Sequence, residues 1–362
     1  MTGGRLLAGV DVGGSKVAVL IADEDLQVLG RHTEPTNVAG DEPAVDLIER
    51  AVRAGLHQAG ADGGRLAALG VGVPGRVDRD TGVVTLAVNL GWHELPLGRL
   101  LSERFGVPVA IENDVRAAAA GLHARRVLGD DEDLAYLSVG TGISAGAVLG
   151  GRLHRGTRGL AGEIGHVVLD AEGPICACGL RGCFEALASG PNVARQAEEA
   201  LAAGRPSALT PHRPVTAVDV YRESAAGDPL ALEITESVGR HVAHAVHELV
   251  MTYDVRRVVL GGGVSSAGEA FLTPILRGLD RLRAASELAR EVLPDDVVQL
   301  LPDGAAAGAW GAVVLARSAL ADAGLPAAVG RWGRSAEPDG ADPLRRARDG
   351  QTEEVIARGT TP

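Results

Sequence analysis

The chain has 362 residues, 46% of them hydrophobic but only 2% aromatic, and a net charge of −12 at pH 7. That length suits two domains rather than one, and their cores must be assembled from Ala, Val and Leu. The acidic balance argues against nucleic acid or a membrane surface as partner, and the absence of a basic, then apolar, leader argues for a cytoplasmic protein with reduced thiols.

In chain order, an apolar strand over 5–10, a Gly13-Gly14 turn and a strand over 17–22 read as a β-hairpin, with a third strand over 27–31. Pro43 opens a helix to about residue 59. A buried strand over 67–73 runs into Pro74-Gly75-Arg76, and a helix over 97–105 precedes a strand over 107–111. That strand ends in Glu112-Asn113-Asp114, and an Ala-rich helix begins at Val115. The pattern then repeats: a strand over 134–139, the turn Gly140-Thr141-Gly142, a returning strand over 143–149 and a hairpin tip at Gly150-Gly151. The uncharged run 134–151 is long enough to raise a membrane span, but its five glycines make a poor lipid-facing helix. Two Gly-turn hairpins, each opening an α/β unit, are the trace of a duplicated fold. The second half is helix-rich, with a long helix over 229–253, a strand over 257–260 feeding Gly261-Gly262-Gly263, and a last helix over 305–320. Residues 322–362 lack helical or strand period and read as a flexible tail.

All three cysteines lie in the run from Cys176 through Cys178 to Cys183, with His166 ten residues ahead of the first. Three thiols and one imidazole fill a tetrahedral zinc, leaving no corner for water, so such a zinc would be structural. The alternative is a Cys-x-Cys redox pair with a spare thiol. A second stripe, His241, His244 and His247, is spaced by three and drifts around its helix, which does not suit a metal.

The Gly162-Glu163-Ile164-Gly165-His166 step, the cysteine run and the Phe184-Glu185 that follows it resemble the ROK family of bacterial sugar kinases and sugar-sensing repressors, with family-like segments from about residue 5 to 320. The resemblance implies an actin-like ATPase/hexokinase α/β fold: two α/β lobes around a cleft, with the zinc loop in the larger lobe. The boundaries are 1–115 for the small lobe, 116–302 for the large lobe and 303–321 for a helix returning to the small lobe. It also implies an ATP-dependent 6-phosphotransferase acting on a hexose, most simply glucose, with Mg²⁺ accompanying ATP and a homodimer or homotetramer as the assembly.

Phosphoryl transfer to a hydroxyl needs the phosphates held, the hydroxyl aligned and its proton accepted. Gly13, Gly14 and Ser15, beside the only lysine, Lys16, form one backbone cradle for phosphate; Gly140, Thr141 and Gly142 form another. Either turn alone reads equally as a hairpin. Asp11 can order Mg²⁺ through water or simply cap its turn. Asp114 suits the base by its place at a helix start, or is a plain N-cap; the resemblance assigns it the base. Asn113, Glu163, His166 and Glu185 would bind sugar hydroxyls, with His166 using one ring nitrogen for zinc and the other for the sugar. Glu185 alone could be a solvated helix start. Gly75 and Asn89 resemble further sugar-lining positions, and Gly261, Gly262 and Gly263 suit the approach of adenosine or form a βα turn.

The chain departs from the family's glucokinases at Ile143-Ser144-Ala145-Gly146, where more glycine is usual, and at Val115-Arg116, where Ala-Asn is common. Both leave the sugar open between glucose and an amino or N-acetyl sugar: N-acetylmannosamine, N-acetylglucosamine or kanosamine. A sugar-sensing regulator is the non-enzymatic reading. It is disfavoured because a first strand at residue 5 leaves no room for a preceding helix-turn-helix module. Polyphosphate as donor would call for a basic groove that is not evident.

Overall fold

Two hairpins nucleate two main sheets of the same strand order. In the computed structural model, which describes residues 4–36, 43–61, 63–126, 133–209, 214–302 and 305–324, the first hairpin is β1 (Leu6–Val12) and β2 (Lys16–Asp23). β3 (Val28–Pro35), α1 (Ala44–Gln58) and β4 (Leu66–Val73) follow. A small antiparallel sheet comes next, β5 (Arg76–Asp78), β6 (Val83–Ala87) and β7 (Trp92–Leu95), and then α2 (Leu97–Phe105), β8 (Val109–Asn113) and α3 (Asp114–Ala124). The first main sheet is ordered β3-β2-β1-β4-β8, antiparallel through β3, β2 and β1 and parallel from β1 to β8.

The second hairpin is β9 (Leu134–Val139) and β10 (Ile143–Leu149), extended by β11 (Arg152–His154). The helices α4 (Phe184–Ala188), α5 (Gly190–Ala202), α6 (Ala217–Ala225) and α7 (Pro229–Tyr253) lead to β12 (Arg257–Gly261). The chain then runs through α8 (Glu269–Ala285), α9 (Glu287–Val292), β13 (Val298–Leu300) and α10 (Ala307–Ala323). The sheet order is β11-β10-β9-β12-β13, antiparallel and then parallel at the same point as in the first. The duplication expected from the two Gly turns is therefore present in the topology. The uncharged run 134–151 is a hairpin, and among the described residues no helix is long and apolar enough to cross a membrane.

The elements follow from local sequence. β1 is buried on both faces and reads as one apolar run, the pattern of a central strand. In α1, Val45, Ile48, Val52 and Leu56 repeat at helical spacing and are buried on one face, with Pro43 as N-cap and Asp46 in the first turn. Asp228 caps α7 by accepting from Ala231 N, Pro229 occupies its first position, and Asp254 ends it in the left-handed region at φ 52°. Both cores are built chiefly from Ala, Val, Leu and Ile, as the scarcity of aromatics requires.

α10 lies against the first sheet. Gly70 on β4 and Gly9 on β1 face it without side chains: a Cβ on Gly70 would strike Ala312 O, and one on Gly9 would strike Ala309 O. Around that contact Leu7, Leu20, Ala22 and Ala68 bury themselves against Ala309, Trp310, Val313 and Ala316.

Three details differ from the sequence reading. β8 runs two residues further than expected, so Glu112 and Asn113 are strand residues and the helix begins at Asp114. The small sheet β5–β7 was not foreseen, although Gly82 at φ 66° makes a hairpin turn between two Val-rich stretches. The expected tail, 322–362, lies almost wholly outside the described residues.

Candidate active site

Asn113, not Asp114, is the N-cap of α3: its side-chain oxygen accepts from Val115 N and Arg116 N, each at 3.1 Å. Its amide nitrogen donates to Gly75 O at 3.2 Å and to Asp114 Oδ1 at 3.0 Å. Asn113 thus spends its whole hydrogen-bonding capacity on tying the start of α3 to the turn after β4 and on orienting Asp114. Asp114, freed from capping, occupies the first helical position and accepts from Val115 N at 2.9 Å. Burial pushes its carboxyl above the ordinary range, and Glu163 adds to this; the Val115 amide and the Arg116 charge pull the other way. Asp11, at the end of β1, pairs in register with Gly72, which pairs with Glu112. Its carboxyl is pushed up to about 7, first by burial and then by the charge of Asp114, with Lys16 opposing.

A cavity of about 560 Å³ gathers five residues singled out from sequence: Gly75, Asn89, Glu163, His166 and Glu185. Pro74, Arg76, Leu86, Val88 and Leu160 complete its wall, so the small sheet that sequence reading missed forms one side. Asn113 and Asp114 adjoin it through the Gly75 carbonyl. Glu185, in the first turn of α4, accepts from Ile143 N at 2.9 Å, directly after the Gly140–Gly142 turn.

A second cavity, about 340 Å³, is lined by Gly140, Thr141 and Gly263 together with Pro191, Val218 and Tyr221, among others. Gly140 and Thr141 thus meet Gly263, while the apolar residues from α5 and α6 were not foreseen; a helix-rich stretch gave no sign of which face would turn here. Gly261 and Gly262 stand at the end of β12, where Gly262 at φ 88° turns the chain toward Gly263. Gly142 sits beside Glu185 rather than on this cavity's wall. The first Gly turn is a tight one: Gly13 N donates to Lys16 O at 2.9 Å, and Thr36 Oγ1 donates to Gly13 O at 2.8 Å. Ser15 and Lys16 are exposed there, and Gly14 approaches Asn89.

The ligand atoms of His166, Cys176, Cys178 and Cys183 all lie within 4.8 Å of one another. Cys178 Sγ is 3.6 Å from Cys183 Sγ, and Cys176 Sγ is 3.7 Å from His166 Nδ1. Tetrahedral zinc with bonds near 2.3 Å separates its sulfurs by about 3.8 Å, whereas a disulfide brings them to about 2.05 Å. The four residues therefore fit a tetrahedral zinc, and Cys178 and Cys183 are not joined in a disulfide. Positive φ at Gly179 (92°) and Gly182 (73°) returns the loop to Cys183. Nδ1 of His166 points to the sulfurs while the residue also lines the larger cavity. The His241–His247 stripe forms no metal-competent group among the described residues.

Comparison with known proteins agrees with this fold. Residues 7–319 match the ROK family. The chain is 32% identical over 281 residues to a glucokinase of Halalkalibacterium halodurans, spanning 75% of this chain and 84% of that one. It is also 32% identical over 285 residues to an N-acetylmannosamine kinase of Citrobacter koseri, spanning 77% and 90%. Among solved structures it resembles a ROK family glucokinase from Streptomyces griseus in complex with glucose and AMPPNP, with 31% identity, a TM-score of 0.71, and coverage of 86% and 99%. With a family match over most of its length, the doubled sheet and the Cys₃His loop beside the cavity, this chain belongs to the ROK family.

Proposed function

We propose that the protein is a sugar kinase that transfers the γ-phosphoryl group of ATP to the 6-hydroxyl of glucose, with Asp114 as general base. The observation that carries this reading is the joining of Asp114, through Asn113 and Gly75, to a cavity walled by Asn89, Glu163, His166 and Glu185. Those side chains offer the mixed donors and acceptors that a polyhydroxylated ring needs. Asp114 takes the proton of the attacking hydroxyl as its oxygen bonds to the γ-phosphorus and the bond to the ADP oxygen breaks. Its raised pKa suits a base that must bind a proton during turnover. Adenosine occupies the second cavity against Tyr221, Pro191 and Val218, and the phosphates run from the Gly140–Gly142 turn toward Gly13–Ser15, with Asp11 near the Mg²⁺ that accompanies ATP.

His166, Cys176, Cys178 and Cys183 would hold a zinc that would supply rigidity to the loop bearing Glu163 and Glu185 and no chemistry of its own. The repeated strand order supports a division into lobes 1–115 and 116–302, with 303–321 returning to the first, and closure of such lobes on sugar would exclude water.

The likeness to an N-acetylmannosamine kinase favours one second reading, the same chemistry on an N-acetyl sugar. The deciding experiment is a substrate panel: glucose, mannose, N-acetylglucosamine, N-acetylmannosamine and kanosamine with ATP and Mg²⁺. Glucose is expected to give the highest kcat/KM; a higher value for an N-acetyl sugar would replace the assignment, and no turnover with any sugar would end the kinase reading.

A further inference from the structure

Glu112, at the end of β8, is held from both sides inside the protein. Arg116 Nε lies 2.9 Å from one carboxylate oxygen and Arg155 Nε 2.5 Å from the other. Burial alone would raise this carboxyl, but Arg155 and Arg116 outweigh it and hold the group below the ordinary range. The Arg116 side chain is only 2% exposed. Its Nη1 stands 4.0 Å from Glu163 Oε1, on the wall of the larger cavity. A row of alternating charge, Arg155, Glu112, Arg116, Glu163, thus runs from behind the Asp114 turn into the proposed sugar site.

The backbone beneath this row is fixed by two adjacent residues of β10. Gly146 lets the first turn of α3 come close: a Cβ there would stand 2.9 Å from Arg116 Cα and 2.9 Å from Val115 O. Its neighbour Ala145 donates its amide to Gly162 O at 2.7 Å, directly before Glu163. One strand therefore anchors both the helix that carries Arg116 and the loop that carries Glu163.

We propose that Arg116 is a positioning residue that aims the Glu163 carboxylate into the sugar cavity, and that Glu112 and Arg155 hold Arg116 in place for that task. The proposal rests on the reading of this cavity as the sugar site. A guanidinium presents a rigid fork of donors, so one edge can stay on Glu112 while another faces Glu163. The competing account is that Arg116 only neutralises the buried charge of Glu112.

Two variants separate the accounts: Arg116→Met, and Arg116→Met combined with Glu112→Gln, which also removes the buried charge that the first change leaves with Arg155 as its one charged partner on the row. Each is measured by melting temperature and by separate KM values for ATP and for the best sugar of the panel. Arg116→Met is expected to lower the melting temperature and to raise the sugar KM about tenfold or more, with the ATP KM within about twofold of wild type. In the double variant the melting temperature should recover toward wild type while the sugar KM stays raised. Should the single variant not fold, the double variant carries the test. An unchanged sugar KM in Arg116→Met, or a sugar KM that recovers with stability in the double variant, overturns the positioning role while leaving the kinase reading intact. A wild-type protein that phosphorylates no sugar of the panel overturns the kinase reading and this role together.

Discussion

The carboxylate of Glu185 accepts a hydrogen bond from the backbone amide of Ile143 at 2.9 Å, two residues beyond Cys183 on one side and directly after Gly142 on the other. One side chain thereby couples the cysteine loop, the wall of the larger cavity and the second glycine turn. Glu185→Ala is expected to raise the KM for both ATP and sugar, since it loosens the turn and removes a cavity acceptor. Loss of a hydrogen bond to a charged group, at about 1.5–3 kcal/mol, corresponds to about a 10–150-fold fall in kcat/KM. Steady-state kinetics varying each substrate in turn checks this; a sugar-only effect would uncouple Glu185 from the turn.

Asp114→Asn keeps the shape and the hydrogen bonds to Val115 and Asn113 but cannot take a proton. It should lower kcat by about 10²–10⁴-fold while sugar affinity, measured by calorimetric titration, stays near wild type. Near-normal turnover in this variant would remove Asp114 from the role of base.

The pH dependence follows from the same carboxyls. Asp114 is raised by burial and Asp11 is pushed up to about 7, so both gain protons earlier on acidification than ordinary aspartates. The working base is the deprotonated form, so activity is present at high pH and lost as pH falls through the raised values. The acid limb of kcat/KM should therefore lie clearly above the ordinary Asp value of about 3.9. A profile flat down to that value would show that neither group titrates in the free enzyme as its burial implies.

How far the site could be read in advance depended on where its information sits along the chain. The hairpins and the cysteine loop are contiguous and declare themselves by spacing and residue type, whereas the Glu163–His166 step is legible through its resemblance to the ROK family. The division of labour between Asn113 and Asp114 was not legible, because either side chain is a fit N-cap and only the end of β8 decides which one serves. Glu112 and Arg116 stand four apart, a spacing that suggests a pair, but Arg155 and Glu163 join them only through the fold. The apolar wall of the second cavity depends on which faces α5 and α6 turn toward Gly263, and long-range packing settles that.

The metal loop offers a stability test. Purified without chelator, the protein should carry one zinc per chain, and Cys178→Ser should lose the metal together with melting temperature and sugar binding. A structural zinc contributes several kcal/mol to folding, so the change should be large, about 10 °C or more in melting temperature. Elemental analysis with thermal melts checks both; a protein free of zinc yet fully active would refute a structural metal.

A last variant probes the seat of α10. In Gly70→Ala the new methyl group meets the Ala312 carbonyl, which belongs to helix backbone and cannot move aside alone. The expected cost is about 1–3 kcal/mol from overpacking, read by denaturant unfolding, with the ligand sites untouched in sequence. Wild-type stability would mean that α10 shifts freely on the sheet.

That seat has a consequence for how the chain is made. Leu7, Leu20 and Ala68 are synthesised first, yet the partners that cover them, Trp310, Val313 and Ala316, emerge about 240 to 300 residues later. During translation one face of the opening sheet must wait, apolar and unpaired, while everything between is produced and folded. Contacts of such sequence separation close slowly. The interval before residues 309–316 leave the ribosome is then the period of greatest exposure to aggregation, and the point at which a chaperone has most to protect.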